Sequence, residues 1–217
     1  MSRIVFDKKL GYVHEDLVKM GSMVEKQLHS CIDALKNHDV ELANKVIDND
    51  DIVDDLQRQI EEKSIRLIAQ NQPLATDLRD IFTAIKIVTD LERMADHAVD
   101  IAKIVTKMGK EHYIKELIDI PKMAEKVQEM IKLSIDAYIA GDVKAAYDIC
   151  LKDDEIDAYY KKIFDELLEH MKSNENLNQV SQLLFVCKYL ERVADHTTNI
   201  CEWTIFLVTG KYVDLNE

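Results

Sequence analysis

Asp90-Leu91-Glu92-Arg93-Met94-Ala95-Asp96-His97-Ala98-Val99-Asp100-Ile101 is answered, 99 residues later, by Tyr189-Leu190-Glu191-Arg192-Val193-Ala194-Asp195-His196-Thr197-Thr198-Asn199-Ile200. Each copy sets a Glu and an Asp four residues apart. On a helix that is one turn, so both carboxylates leave the same side. An internal repeat fixes architecture before any single residue is weighed, because each unit must bury its apolar face against something.

Working outward, the repeat runs through most of the chain. At an offset of 103, Met20 matches Met123, Val24 matches Val127, Asp39 matches Asp142 and Asp50 matches Asp153. The offset falls to 99 at the quoted stretches, so the second half has the shorter connection before its last helix. Apolar residues recur at three- and four-residue spacing and strand-like alternation is missing. With five Gly and two Pro in 217 residues, this is an all-α chain with few turns. The periodicity predicts six long helices, near 7–37, 40–70, 75–108, 116–140, 143–172 and 177–208. They form two tandem three-helix bundles, residues 1–110 and 111–217. Helices of about 35 residues run about 50 Å, which makes the molecule elongated.

Boundaries have mechanisms. Asp39 and Asp142 suit N-cap positions, and Gly141 suits a left-handed helix end. Pro73 stops the second helix, and Thr76 can cap the third. Ser173-Asn174-Glu175-Asn176 is the corresponding break in the second half, and Gly109 to Tyr113 the junction between halves.

The net charge is −13, spread as −4 over residues 1–110 and −9 over 111–217. No basic stripe marks a nucleic-acid surface. No run approaches the roughly 18 apolar residues of a membrane span, so no direct membrane insertion is expected. The opening Met-Ser-Arg-Ile-Val-Phe-Asp is too short an apolar stretch for a secretory signal. Cys31, Cys150, Cys187 and Cys201 form no Cys-x-x-Cys pair and read as buried thiols in a reducing cytosol.

The chemistry lies where acids interrupt apolar seams. In the third helix the seam reads Ile81, Ile85, Val88, Glu92, Ala95, Val99, Ala102. In the sixth it reads Val180, Leu184, Cys187, Glu191, Ala194, Thr198, Cys201. The second helix carries Val46, Asp50, Val53, Gln57 and Ile60, and the fifth Ile149, Asp153, Ile156, Tyr160 and Ile163. Asp54 and Asp157 follow by one turn. A dry bundle cannot hold that much unpaired charge. Three arrangements meet the difficulty: a wet open face, neutralisation by Arg58, Arg93 and Arg192, or bound cations. An all-oxygen donor set suits Mg²⁺, Mn²⁺, Ca²⁺ or carboxylate-bridged iron, and disfavours a structural zinc site lacking thiolates. His97 and His196 lie about 100° round the helix from the Asp, at the site's rim or between helices.

The duplicated Glu-Arg-x-x-Asp-His, the Asp-x-x-[Val/Ile]-Asp pairs, and Gln72-Pro73-Leu74-Ala75-Thr76-Asp77-Leu78-Arg79 opening the third helix together resemble the PhoU family. The resemblance spans the chain. It implies a cytoplasmic, usually homodimeric regulator of phosphate uptake that restrains the phosphate-starvation response. Such a regulator acts between the ATPase of the phosphate importer and the membrane sensor histidine kinase. It also implies a multinuclear iron or zinc cluster in each repeat. Carried over by position, the ligands are Asp50, Asp54, Glu92 and Asp96 in the first and Asp153, Asp157, Glu191 and Asp195 in the second, with Asp100 and Asn199 on the next turn.

No Gly-rich phosphate loop or nucleophile–base pair is present, so a non-enzymatic, metal-binding adaptor is the leading reading. A carboxylate-bridged metal enzyme is the alternative. It is weakened because no Glu-x-x-His occurs. An inert scaffold with its acids paired to Arg and Lys is the third.

Overall fold

The computed structural model describes residues 3–173 and 176–215, and the described residues form an α-helical bundle. Its helices are α1 (Arg3–Asn37), α2 (Val40–Asp48), α3 (Asp50–Asn71), α4 (Ala75–Met108), α5 (Asp119–Ala140), α6 (Val143–Cys150), α7 (Asp153–Lys172) and α8 (Leu177–Thr209). The six expected rods are all there, with two of them interrupted. The second divides at Asn49, whose φ of −92° and ψ of 2° leave the helical region. The fifth divides at Leu151–Lys152. Asp and Asn side chains compete with the backbone for its hydrogen bonds, and acids favour a helix's first turn over its interior. The run Asp48-Asn49-Asp50-Asp51 therefore ends one helix and opens another, as Lys152-Asp153-Asp154 does in the second half.

Most expected boundaries hold. Asp39 Oδ1 accepts from Leu42 N at 2.9 Å and Asp142 Oδ1 from Ala145 N at 2.9 Å, each capping a helix. Gly141 closes α5 with φ 61° and ψ 33°, the left-handed conformation that glycine adopts without a Cβ penalty. Thr76 does not cap the third rod. That helix begins one residue earlier, and Asp77 Oδ2 reaches back to accept from Leu74 N at 3.1 Å. Asn176 Oδ1 caps α8, accepting from Gln179 N at 3.2 Å. Asn174 and Glu175 of the expected break lie outside the described residues.

α4 packs along α8, α1 along α5, and α1 and α5 complete a central four-helix layer with α4 and α8 respectively. α2 and α3 flank this layer on α1 and α4, and α6 and α7 flank it on α5 and α8. The expected seams are the core: Ile81, Val88, Ala95, Val99 and Ala102 are buried on α4, and Val180, Cys187, Ala194, Thr198 and Cys201 on α8. α1 and α5 approach closely at Gly21, where a Cβ would stand 2.1 Å from Ile135 Cδ1. The connection after α4 is fastened to both halves. Tyr113 stacks on His38 and donates its hydroxyl to Leu35 O at 2.5 Å, while Gln179 Oε1 accepts from Ile114 N at 2.5 Å. All four cysteines are free thiols.

Leu91 and its repeat mate Leu190 are fully buried on the paired helices. Replacing either with Ala should cost about 2–5 kcal/mol in chemical denaturation, because a close-packed interface collapses little around the lost methyls.

Candidate metal centres

Glu92 and Asp96 project from one side of α4 toward the start of α3. There Asp50 is the first helical residue and Asp54 lies one turn on. The break at Asn49 thus puts the positive end of a helix dipole at Asp50. In the second repeat, Glu191 and Asp195 of α8 stand in the same relation to Asp153, first residue of α7, and Asp157.

Electrostatics shows that each set acts as a group. Burial pushes the Asp50 carboxyl above the usual carboxylate range, and the charges of Asp54 and Asp96 push it further. Glu92 is raised by burial and then by Asp96, with Asp54 and Asp50 adding to it against Arg93. The second set is more strained. Asp153 is pushed up to about 7, by burial first and then by Asp157, Asp195 and Glu191. Asp157 and Asp195 are both raised by burial and by Glu191.

Cations meet these faces at the rim. Arg93 donates to Asp96 Oδ2 at 2.8 Å and lies 3.3 Å from Glu92 Oε2, and Arg58 stands 3.6 Å from Asp54. In the second repeat Lys188 contacts both Glu191 oxygens, and Arg192 stands 3.5 Å from Asp195. Among the described residues neither Asp50 nor Asp153 has an ion pair, and Asp50 Oδ1 is buried with no hydrogen-bond partner. Glu92 Oε2 and Glu191 Oε2 are also buried, and each faces a cation, Arg93 Nε at 3.3 Å and Lys188 Nζ at 2.5 Å. Orphaned, clustered, all-oxygen donors fit a hard cation. No three His, Cys, Asp or Glu side chains among the described residues already close on one point, so a cation shared by one set would require its carboxylates to turn inward, away from Arg93 and Lys188.

Asp100 and Asn199 are placed differently from the other eight. Asn199 donates to Asp90 Oδ1 at 3.1 Å, across the seam between the repeats. Asp100 pairs with Lys103, and its charge acts on His97 and Tyr189. The histidines lie on this seam as well. His196 Nδ1 is 2.9 Å from Asp90 Oδ1, and His97 stacks on Tyr189 with ring centroids 5.5 Å apart. Asp90 was not singled out by its sequence pattern. Its only signal is that the quoted stretch begins with Asp in one copy and Tyr in the other.

The PhoU domain family matches residues 17–105 and again 120–204. The chain belongs to the PhoU family. The phosphate-specific transport system accessory protein PhoU homolog of Clostridium acetobutylicum is 51% identical over 219 residues, covering 100% of both chains. The homolog of Rhizobium meliloti is 38% identical over 94% of this chain and 87% of its own. Among solved structures, the phosphate transport system regulatory protein PhoU from Streptococcus pneumoniae superposes with a TM-score of 0.91 at 31% identity, over 96% of this chain and 99% of that one. PhoU from Pseudomonas aeruginosa does so with a TM-score of 0.90 at 32% identity, over 95% and 100%. These are accessory and regulatory proteins by name, and the family role is regulatory rather than enzymatic.

The raised Asp153 carboxyl gives a prediction for chelator-stripped protein. Its folded value exceeds its unfolded one, so its contribution to stability is full below about 4 and is lost as pH rises through about 7. Thermal melts should show stability declining across that window, and Asp153→Asn should flatten the decline and raise the melting temperature at pH 8.

Proposed function

We propose that this protein is a cytoplasmic, metal-binding regulator of phosphate transport. It would restrain the phosphate-starvation response by standing between the importer's ATPase and the phosphate-sensing histidine kinase. The observation that supports a metal-dependent regulator is the duplicated face of four coupled carboxylates with the buried Asp50 Oδ1 orphaned. Asp50, Asp54, Glu92 and Asp96 would hold cations in one repeat, and Asp153, Asp157, Glu191 and Asp195 in the other. Bound cations would supply compensating charge and turn an acidic face into one that attracts anionic groups, phosphate among them. Iron or zinc is the metal the family resemblance favours, and the oxygen donors also suit Mg²⁺ or Mn²⁺.

A regulator of this kind acts only through different affinities for different states of its partners. Arg93 and Lys188 give the chain a means to that end. Each offsets one charge of its face without metal and would be released if the carboxylates turned to an ion, so loading would change the surface charge next to the site. No helix among the described residues is long and apolar enough to cross a membrane, so contact with a membrane complex would be made from its surface. The long rods would let one homodimer span two partners.

Two measurements test this reading. Protein purified without chelator should contain metal, while Glu92→Ala/Asp96→Ala loses the share held by the first repeat. Added Fe²⁺, Zn²⁺ or Mn²⁺ should raise the melting temperature of the wild type by mass action. Wild type and variant both free of metal, with neither stabilised by any ion, would remove the metal from the account. Separately, tagged protein from phosphate-replete cells should retain the importer ATPase and the sensor kinase, and loss of the chain should switch on starvation genes in rich phosphate. Retention of neither partner would remove the adaptor role while leaving metal binding standing.

A further inference from the structure

The two repeats differ at a surface that the metal faces do not use. In the first repeat, α1 and the α2–α3 junction leave an open groove of about 350 Å³ between them. Met23, Val46 and Ile52 line it, and Lys26, Lys45 and Asn49 stand along its edge. In the second repeat the corresponding place has shrunk to about 10 Å³. The offset of 103 explains the difference residue by residue. Met23 and Ile52 become Lys126 and Glu155, which form an ion pair. Lys26 and Asn49 become Glu129 and Lys152, paired at 3.1 Å. Lys45 becomes Asp148. Two cross-groove salt links thus shut the second repeat where the first presents apolar walls and lysines.

Two observations indicate what the open groove takes. Its lining has two lysines and no acid, in a protein of net charge −13, and neither lysine is in an ion pair among the described residues. The larger hollow between α1 and α3 differs here, since its Lys63 and Arg66 are already paired with Asp16 and Glu62. Ile52 is 53% exposed, a large apolar side chain left to solvent at a groove's lip. Apolar walls set by two helices and a cationic rim fit a helix-in-groove contact, in which the occupant brings apolar residues and carboxylates.

We infer that this groove is the docking site for an acidic amphipathic helix of a partner protein. The partner's apolar face would lie between Met23 and Ile52, and its carboxylates would meet Lys26 and Lys45. The site is apart from the metal faces and stands whether or not they bind ions. Asn49 and Ile52 border the groove while Asp50 and Asp54 belong to the carboxylate face, so the two surfaces meet at the α2–α3 junction.

The test uses the full chain and two labelled synthetic helices read by fluorescence anisotropy. One carries Leu along one face with Glu beside it, and the other has each Glu replaced by Lys. The acidic peptide should bind about tenfold more tightly than the basic one, and Lys26→Glu/Lys45→Glu should reverse that order. Met23→Lys/Ile52→Glu copies the ion pair of the second repeat and should abolish binding of both with an unchanged melting curve. Should that variant fold poorly, the charge reversal, confined to two exposed lysines, carries the test alone. Equal binding of both peptides, or binding untouched by charge reversal, would overturn the proposal. So would sedimentation showing that the groove joins two copies of this chain and that Met23→Lys/Ile52→Glu separates them.

Discussion

Burial of one apolar face of α4 against one of α8 is the contact on which the other features rest. Each helix runs more than thirty residues and carries too broad an apolar surface for its own two neighbours to cover. Packing the repeats back to back removes that surface from water, at roughly 25 cal/mol for each Å² buried. It also relates the halves by an approximate two-fold. His196 of α8 reaches Asp90 of α4, and His97 of α4 reaches Tyr189 of α8, at equivalent positions. The symmetry is broken where chemistry requires it. One buried Asp is satisfied by His196 and Asn199, and a second would have added like charge to the same seam. Tyr189 in its place stacks instead of ionising.

Pairing α4 with α8 turns their acidic turns outward, against α3 and α7. There the balance is between desolvation and repulsion on one side and the helix dipoles and rim cations on the other. Dipoles act within a single turn and are worth under about 1 kcal/mol each at a surface. The ion pairs of Arg93 and Arg192 are more than half exposed on the arginine side and correspondingly weak. Neither term removes the orphaned oxygen of Asp50 or lowers Asp153. A cation at either face would offset the charge that remains.

Much of this was legible in the sequence because periodicity survives local interruption. Val46, Val53, Leu56 and Ile60 keep helical phase straight through Asn49, so the apolar pattern reads as one rod. The break is visible only in Asp and Asn chemistry, which a pattern of buried positions does not register. The carboxylate faces were legible for the same reason, since Glu92 and Asp96 are one turn apart. The step on to Asp100 and Asn199 is a longer one. Four residues on a helix turn about 400°, so each further step drifts about 40°, and two steps carry the side chain some 80° around. That rotation brings Asn199 to Asp90 on the repeat seam. Asp90 itself could not have been found by looking for what is duplicated, because its role depends on its being single.

Duplication also explains why the halves can be read against each other. A fold of two like units sets two corresponding surfaces in one molecule, so the places where they differ stand out. The carboxylate faces differ little in their acids, whereas the flank formed by α1 and α2–α3 differs in charge and shape from its counterpart on α5 and α6–α7. Cross-linking that flank with two salt bridges is the inexpensive way to cover Met130 and its neighbours. The first repeat forgoes it and leaves Ile52 in water. Ile52 there borders Met23 and Val46 in a groove whose lysines form no ion pair among the described residues, so a partner bringing apolar residues and carboxylates would bury the first and pair the second.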